Sequence, residues 1–236
     1  RDCLLSRGLG DVYKRQFESI KSAITPDFLV AIGNSFLIAV AVTIIALILH
    51  SMCGYAFARM NFPGKKPMFT VIISTLMIPV SSILVPLFMI CKQLGITNSY
   101  AGILLPALFN AYGIFLFRQF YLTFPISLYE SAKIDGCSNL RFIWQILMPL
   151  TKSAMGAMAV YTFINAWNMY MWPLLVTGSD KMRTVQIGIG MLDSVDSQSI
   201  TLMIAGVVLI ILPSISIFIA GQKQLIRGMF SGAVKG

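Results

Sequence analysis

Residues 118–152 read RQFYLTFPISLYESAKIDGCSNLRFIWQILMPLTK, a polar-apolar connection set between two strongly apolar stretches. Pro125 sets a turn, Ser127 is placed to cap a helix over Leu128–Ile134, and Asp135-Gly136 ends that helix with a residue free to take positive φ. Ser138 or Asn139 is then placed to cap a second helix. There Phe142, Ile143, Ile146 and Leu147 share one face until Pro149 interrupts the repeat. Two short amphipathic helices on either side of a turn make a compact knob. The same pattern also suits a helix pair lying on lipid headgroups.

The surroundings of the knob are those of a membrane protein. Hydrophobic residues make up 57% of the 236 residues and the mean hydropathy is +0.80, too apolar for an ordinary soluble chain. Five stretches reach the roughly 20 helical residues that a hydrocarbon core requires, approximately Phe28–Ala58, Met68–Cys91, Tyr100–Leu122, Ala154–Thr177 and Ser199–Gly221. None carries Asp, Glu or Lys away from its ends, and none alternates like a barrel strand. The predicted class is all-α, a polytopic transmembrane helical bundle.

The net charge of +9 could suggest a nucleic-acid binder, but the basic residues stand singly among apolar runs. They report topology instead. Arg59, Lys65, Lys66, Arg118, Lys133, Arg141, Lys152, Lys223, Arg227 and Lys235 fall on one side, against Lys21, Lys92, Lys181 and Arg183 on the other. The first side is the expected cytoplasmic one, and it includes the C-terminus. A chain of five spans ending in the cytoplasm starts outside, which predicts a preceding first helix. Residues 1–16, with four basic and two acidic residues and no apolar core, read as a truncated or non-native segment, leaving 17–236 as the transmembrane domain with a cytoplasmic loop at 123–150.

Several chemistries find no support. Cys3, Cys53, Cys91 and Cys137 lack metal-ligand or disulfide spacing. Gly64-Lys65-Lys66 lacks the upstream Gly and the following hydroxyl of a phosphate loop, so the chain is not read as an ATPase. The spans hold no acids for an ion-coupled carrier, and Ser74, Ser81 and Ser82 have no base at matching depth for an intramembrane enzyme. Those two classes remain as the alternatives. His50 has no acidic partner in sequence and reads as a packing or pore-lining residue. Prolines 79, 86, 106 and 213 are expected to bend their helices.

The knob also matches a known pattern. Glu130-Ser131-Ala132, three residues, Gly136, nine residues, Ile146, one residue, then Met148-Pro149 resembles the EAA loop of ABC importer permeases, departing from it at Ser131 and Met148. Three further passages resemble the carbohydrate-uptake branch: Gly54-Tyr55-Ala56-Phe57-Ala58-Arg59 with Phe62-Pro63-Gly64, Trp167-Asn168-Met169-Tyr170-Met171-Trp172-Pro173, and the tail from Gly228-Met229 to Gly236. The resemblance covers roughly Asn34 to the end. It implies a six-span permease, a coupling loop through Glu130, Ser131, Ala132, Asp135, Gly136, Ile146 and Pro149, and three partners besides the bilayer. These are a second homologous permease subunit, an ATPase dimer that uses ATP and Mg, and an extracytoplasmic solute-binding protein. By the same resemblance Glu130 would pair with a basic residue of the ATPase and Ala132 would permit close packing.

Polar and aromatic residues at span depth are candidates for a sugar path, because hydroxyls need hydrogen bonds and sugar faces stack on rings. They are Asn110, Tyr112, Asn165, Trp167, Asn168 and Tyr170. Each also has a structural reading, as an inter-helix hydrogen bond or an interfacial ring. The tryptophan passage resembles glycerol-3-phosphate permeases too. A neutral sugar is the favoured substrate, since the spans hold no Arg or Lys to meet a phosphate apart from Arg118, at a cytoplasmic end.

Overall fold

A computed structural model describes residues 21–22, 24–195 and 200–230. The expectation for residues 1–16 and the tail beyond residue 230 lie outside the described residues. Among the described residues regular structure is entirely helical, as the composition required.

The first helix, α1 (Pro26–Arg59), is 34 residues long. Its start is set by Thr25, whose hydroxyl accepts the Phe28 N–H at 3.2 Å, and by Pro26, whose ring already holds helical φ. At 1.5 Å per residue it spans about 50 Å, more than a hydrocarbon core of about 30 Å. It is the mast of the fold, packing against α5 (Ala111–Thr123) and α8 (Lys152–Trp167), while α8 packs on α11 (Ile200–Phe230).

The expected second span is not one rod. Helix α2 (Lys65–Ser74) with the turn Thr75–Met77 meets α3 (Val80–Gln93) at 109°. Pro79 causes the break: it cannot donate to the preceding turn, and it drives Ile78 into extended backbone at φ −87°, ψ 119°. The third stretch bends by 44° between α4 (Tyr100–Ala107) and α5, where Asn110 leaves helical geometry and its Oδ1 accepts the Tyr112 N–H at 2.9 Å. Pro106 lies one residue before the end of α4, whereas Pro86 and Pro213 sit inside helices that continue past them.

The fourth stretch divides as well, into α8 and the short α9 (Met171–Val176), so Ala154–Thr177 is not a continuous helix. Helix α10 (Val185–Val195) precedes α11. Among the described residues two unbroken helices are long and apolar enough to cross a membrane, and each of two bent pairs can supply one more crossing.

Two apolar cores hold the bundle. One gathers Phe28, Ile38, Val42, Ile103, Phe163, Trp167, Trp172 and Ile210. Its tryptophans are fully committed: Trp167 Nε1 donates to the Ile210 carbonyl and Trp172 Nε1 to the Gly102 carbonyl, both at 3.1 Å. The second core gathers Tyr55, Phe117, Tyr121, Ala132, Phe142, Leu147 and Met158, and it is the one that carries the knob.

Candidate functional site

The knob is two helices, α6 (Ile126–Ile134) and α7 (Asn139–Phe142), the latter running on through a wide turn at Ile143–Leu147 into Met148–Leu150. Helix α6 begins two residues earlier than expected. Pro125 stands at its N-cap and its carbonyl takes the Leu128 N–H, so Ser127 falls inside the first turn, exposed, and caps nothing. At the other end the Gly136 N–H bonds the Lys133 carbonyl at 3.0 Å and the Cys137 N–H bonds the Ala132 carbonyl at 2.9 Å. This paired closure demands left-handed backbone at Gly136, which has φ 73°. Of the two alternatives for the second cap, Ser138 fills the role through its hydroxyl and the Arg141 N–H at 3.3 Å.

The wide turn follows from Pro149. With no N–H at that position, the Met148 N–H reaches five residues back to the Ile143 carbonyl, and Thr151 Oγ1 donates to the Leu147 carbonyl at 2.8 Å. The extra residue turns Phe142, Ile143 and Leu147 inward, each no more than 3% exposed.

Asn139 is used differently. Its Oδ1 accepts the Tyr55 hydroxyl at 3.1 Å and the Tyr129 hydroxyl at 3.4 Å, beneath a cluster in which the Tyr55, Tyr129 and Phe142 rings lie 5.4–6.5 Å apart. Tyr55 belongs to α1 and is buried, so α1 is joined to the knob through one shared acceptor. The Arg59 guanidinium ties the same helix to the Tyr121 carbonyl at 2.7 Å and to the Phe124 carbonyl. Replacing Asn139 by leucine leaves two hydroxyls without that acceptor. The expected cost is about 2 kcal/mol, read as a lower unfolding midpoint of the purified protein, with a Tyr55→Phe/Asn139→Leu double variant recovering part of it.

This arrangement sorts the loop residues into two sets. Ala132 is buried and Ile146 half-buried, both within the knob's own core, so the close packing that Ala132 permits is with this chain. Glu130, Ser131, Asp135, Gly136 and Pro149 are exposed. Ile126, Glu130 and Ile134 recur every four residues on the outer face of α6, and Ile134 is 87% exposed. Among the described residues the one ion pair is Arg183 with Asp180, so the Glu130 carboxylate has no cationic partner. An outer face of two isoleucines around an unpaired acid is suited to a complementary protein surface. The exposure of Ile134 was not legible in the sequence, because only the packing of α6 on Tyr55 shows which face points away.

The path candidates separate too. Tyr112 is 39% exposed and its ring lies 5.2 Å from that of Tyr161, which sits four residues before Asn165 on α8. Asn165 and Asn168 are exposed on the same helix face, and Gln186 Nε2 donates to Asn168 Oδ1 at 3.2 Å. Tyr112, Tyr161, Asn165, Asn168 and Gln186 thus form one neutral polar strip, with Asn110 half-buried at its edge. Trp167 is not part of it, being 1% exposed in the core. Tyr170 is exposed beyond the end of α8. The sequence reading missed Tyr161 and Gln186; the spacing of 161, 165 and 168 on one helix was the available signal for Tyr161. His50, buried on α1, accepts the Asn110 N–H at 3.2 Å and so pins the α4–α5 break beside the strip.

Comparison with known proteins agrees with this architecture. The permease protein AraQ of the arabinooligosaccharides transport system of Halalkalibacterium halodurans is 35% identical over 204 residues, 86% of this chain and 73% of the relative. The sn-glycerol-3-phosphate transport system permease protein UgpE of Yersinia enterocolitica is 35% identical over 198 residues, 83% and 70% of the two chains. The lactose transport system permease protein LacG of Rhizobium radiobacter is 35% identical over 202 residues, 86% and 74%. A crystal structure of a bacterial ABC transporter involved in import of the acidic polysaccharide alginate has the same fold, with a TM-score of 0.78 at 21% identity over 88% of this chain and 79% of that one. Residues 50–229, which include the whole knob and the polar strip, match the model of the family described as binding-protein-dependent transport system inner membrane component, and the chain belongs to that family.

Proposed function

We propose that the chain is a permease subunit of an ATP-driven importer for a sugar or oligosaccharide, coupled through its knob to a separate ATPase. The observation that carries this reading is the fusion of the knob to α1 through Tyr55 and Asn139: a force applied at Glu130 and Ile134 meets a packed core and not a loose loop. The ATPase dimer binds ATP and Mg, a second permease completes the translocation path, and a solute-binding protein delivers substrate at the opposite face. The C-terminus lies on the knob side, in the cytoplasm.

The substrate class rests on the strip. Tyr112, Tyr161, Asn165, Asn168 and Gln186 offer hydroxyls, amides and ring faces and no cation, which suits a neutral polyhydroxylated solute better than glycerol-3-phosphate. Two of the relatives above are named for saccharides and one for the phosphate ester, and the uncharged strip supports the saccharide reading.

The test is Glu130→Ala in the complex reconstituted in vesicles. Removing one charge-assisted contact from a desolvated interface is expected to lower uptake about tenfold while the subunit stays in the membrane and ATP is still hydrolysed. Uptake at the wild-type rate would overturn the coupling role.

A further inference from the structure

We propose that Arg59, Lys65, Lys66 and Arg118 form a headgroup site for an anionic phospholipid beside the knob. Three of the cations, Arg59, Lys65 and Arg118, meet at one turn of backbone, the C-terminal end of α1. Arg118 Nε donates to the Phe57 carbonyl at 3.2 Å, and Lys65 Nζ donates to the Met60 carbonyl at 2.8 Å. Arg59 leaves the same turn toward α5, and Lys66 follows Lys65 into α2. The Arg118 guanidinium lies 4.2 Å from the centroid of the Phe69 ring, so its plane is held by stacking.

None of these cations has a carboxylate partner among the described residues. Their hydrogen bonds go to backbone carbonyls, which leave the positive charge uncompensated, and the guanidinium nitrogens not used on those carbonyls remain to face a phosphate. Arg59, Lys65 and Arg118 are half-buried and Lys66 is exposed, so the cluster presents one fully open charge beside three partly covered ones.

The neighbouring surface selects a lipid over a soluble anion or an acidic protein. Helix α2 buries none of its residues, and Met68 and Val71 are exposed at 52% and 65% in direct continuation of Lys65 and Lys66. Leu76 and Met77 extend the apolar surface to the Pro79 break, Met77 being 86% exposed. A cationic cluster at the end of an uncovered apolar helix complements a molecule that has both a phosphodiester and acyl chains. A soluble anion would leave the helix uncovered.

The experiment uses the complex extracted from its membrane in mild detergent, stripped of lipid, and titrated with phosphatidylglycerol or phosphatidylcholine of identical chains while bound lipid is counted by native mass spectrometry. Wild-type protein is expected to bind phosphatidylglycerol roughly twentyfold more tightly than phosphatidylcholine. Lys65→Gln/Lys66→Gln is expected to remove most of that preference, and Lys65→Arg/Lys66→Arg to keep it. Equal binding of the two lipids by wild-type protein overturns the proposal without any variant. So does an unchanged preference in the glutamine variant, displacement of phosphatidylglycerol by millimolar inorganic phosphate, or loss of the ATPase from that variant with lipid binding intact.

Discussion

Gly136→Pro should lower transport about a hundredfold while leaving the chain inserted in the membrane. Gly136 is held at φ 73°, and proline is confined near −65°. The substitution also removes the N–H that bonds the Lys133 carbonyl, and with it the closure that turns α6 back toward α7. Together these cost about 3 kcal/mol or more, which is roughly a hundredfold in the population of a correctly shaped knob. The damage stays local, because α1, α5 and α8 do not depend on that turn.

A graded series separates backbone geometry from simple bulk at this position. An added Cβ at Gly136 meets nothing within 4 Å, so size alone is harmless there. Asparagine, which tolerates left-handed backbone, should nearly match glycine, and alanine should cost about 1–2 kcal/mol. Uptake in reconstituted vesicles should fall in the order Gly, Asn, Ala, Pro. A proline variant transporting at the wild-type rate, or an asparagine variant as poor as proline, would contradict the account.

Gly54→Ala carries the second large effect, with the opposite physical cause. Gly54 is inside the last turns of α1, five residues before its end, where alanine is normally favoured by about 1 kcal/mol. Here an added Cβ would stand 2.6 Å from Phe117 Cβ and 2.9 Å from the Arg118 backbone nitrogen. Neither atom is the end of a flexible side chain, so α1 and α5 would have to separate along their crossing. The neighbouring contacts of Tyr55 with the knob and of Arg59 with α5 would shift with them. The expected loss is about 3–4 kcal/mol, at the upper end of overpacking penalties.

Gly33→Ala, on the same helix, is the matched control. Nothing lies within 4 Å of its added Cβ, so it should be neutral or slightly stabilising. Unfolding midpoints of the two purified variants, measured side by side, check the sign at each site. Equal midpoints would mean that the α1–α5 crossing is looser than these distances.

Much of the chain could be read from local chemistry. The apolar stretches, the turn at Gly136, the cap at Ser138 and the interruption at Pro149 each depend on residues within a few positions of one another. Ser127 shows where that reading fails: Pro125 already starts the helix, and the better capping residue is left inside it. Trp167 and Tyr161 show a different failure. Both are aromatic residues on α8, but Trp167 meets Ile210 of α11 and disappears into the core, while Tyr161 remains open beside Tyr112 of α5. No spacing within α8 distinguishes a ring that packs on a helix more than forty residues later from one that faces outward.

By itself the sequence determined that the chain is a helical membrane protein with a two-helix knob, because hydropathy and turn chemistry are local and additive. Tertiary structure decided the 109° fold at Pro79, the burial of Ala132 and Ile146, the exposure of Glu130 and Ile134, and the gathering of Arg59, Lys65 and Arg118 around one turn of α1. Those outcomes depend on which helices meet and at what angle. Contacts between residues sixty or more positions apart fix that geometry, as when Arg118 reaches Phe57 and Tyr55 reaches Asn139.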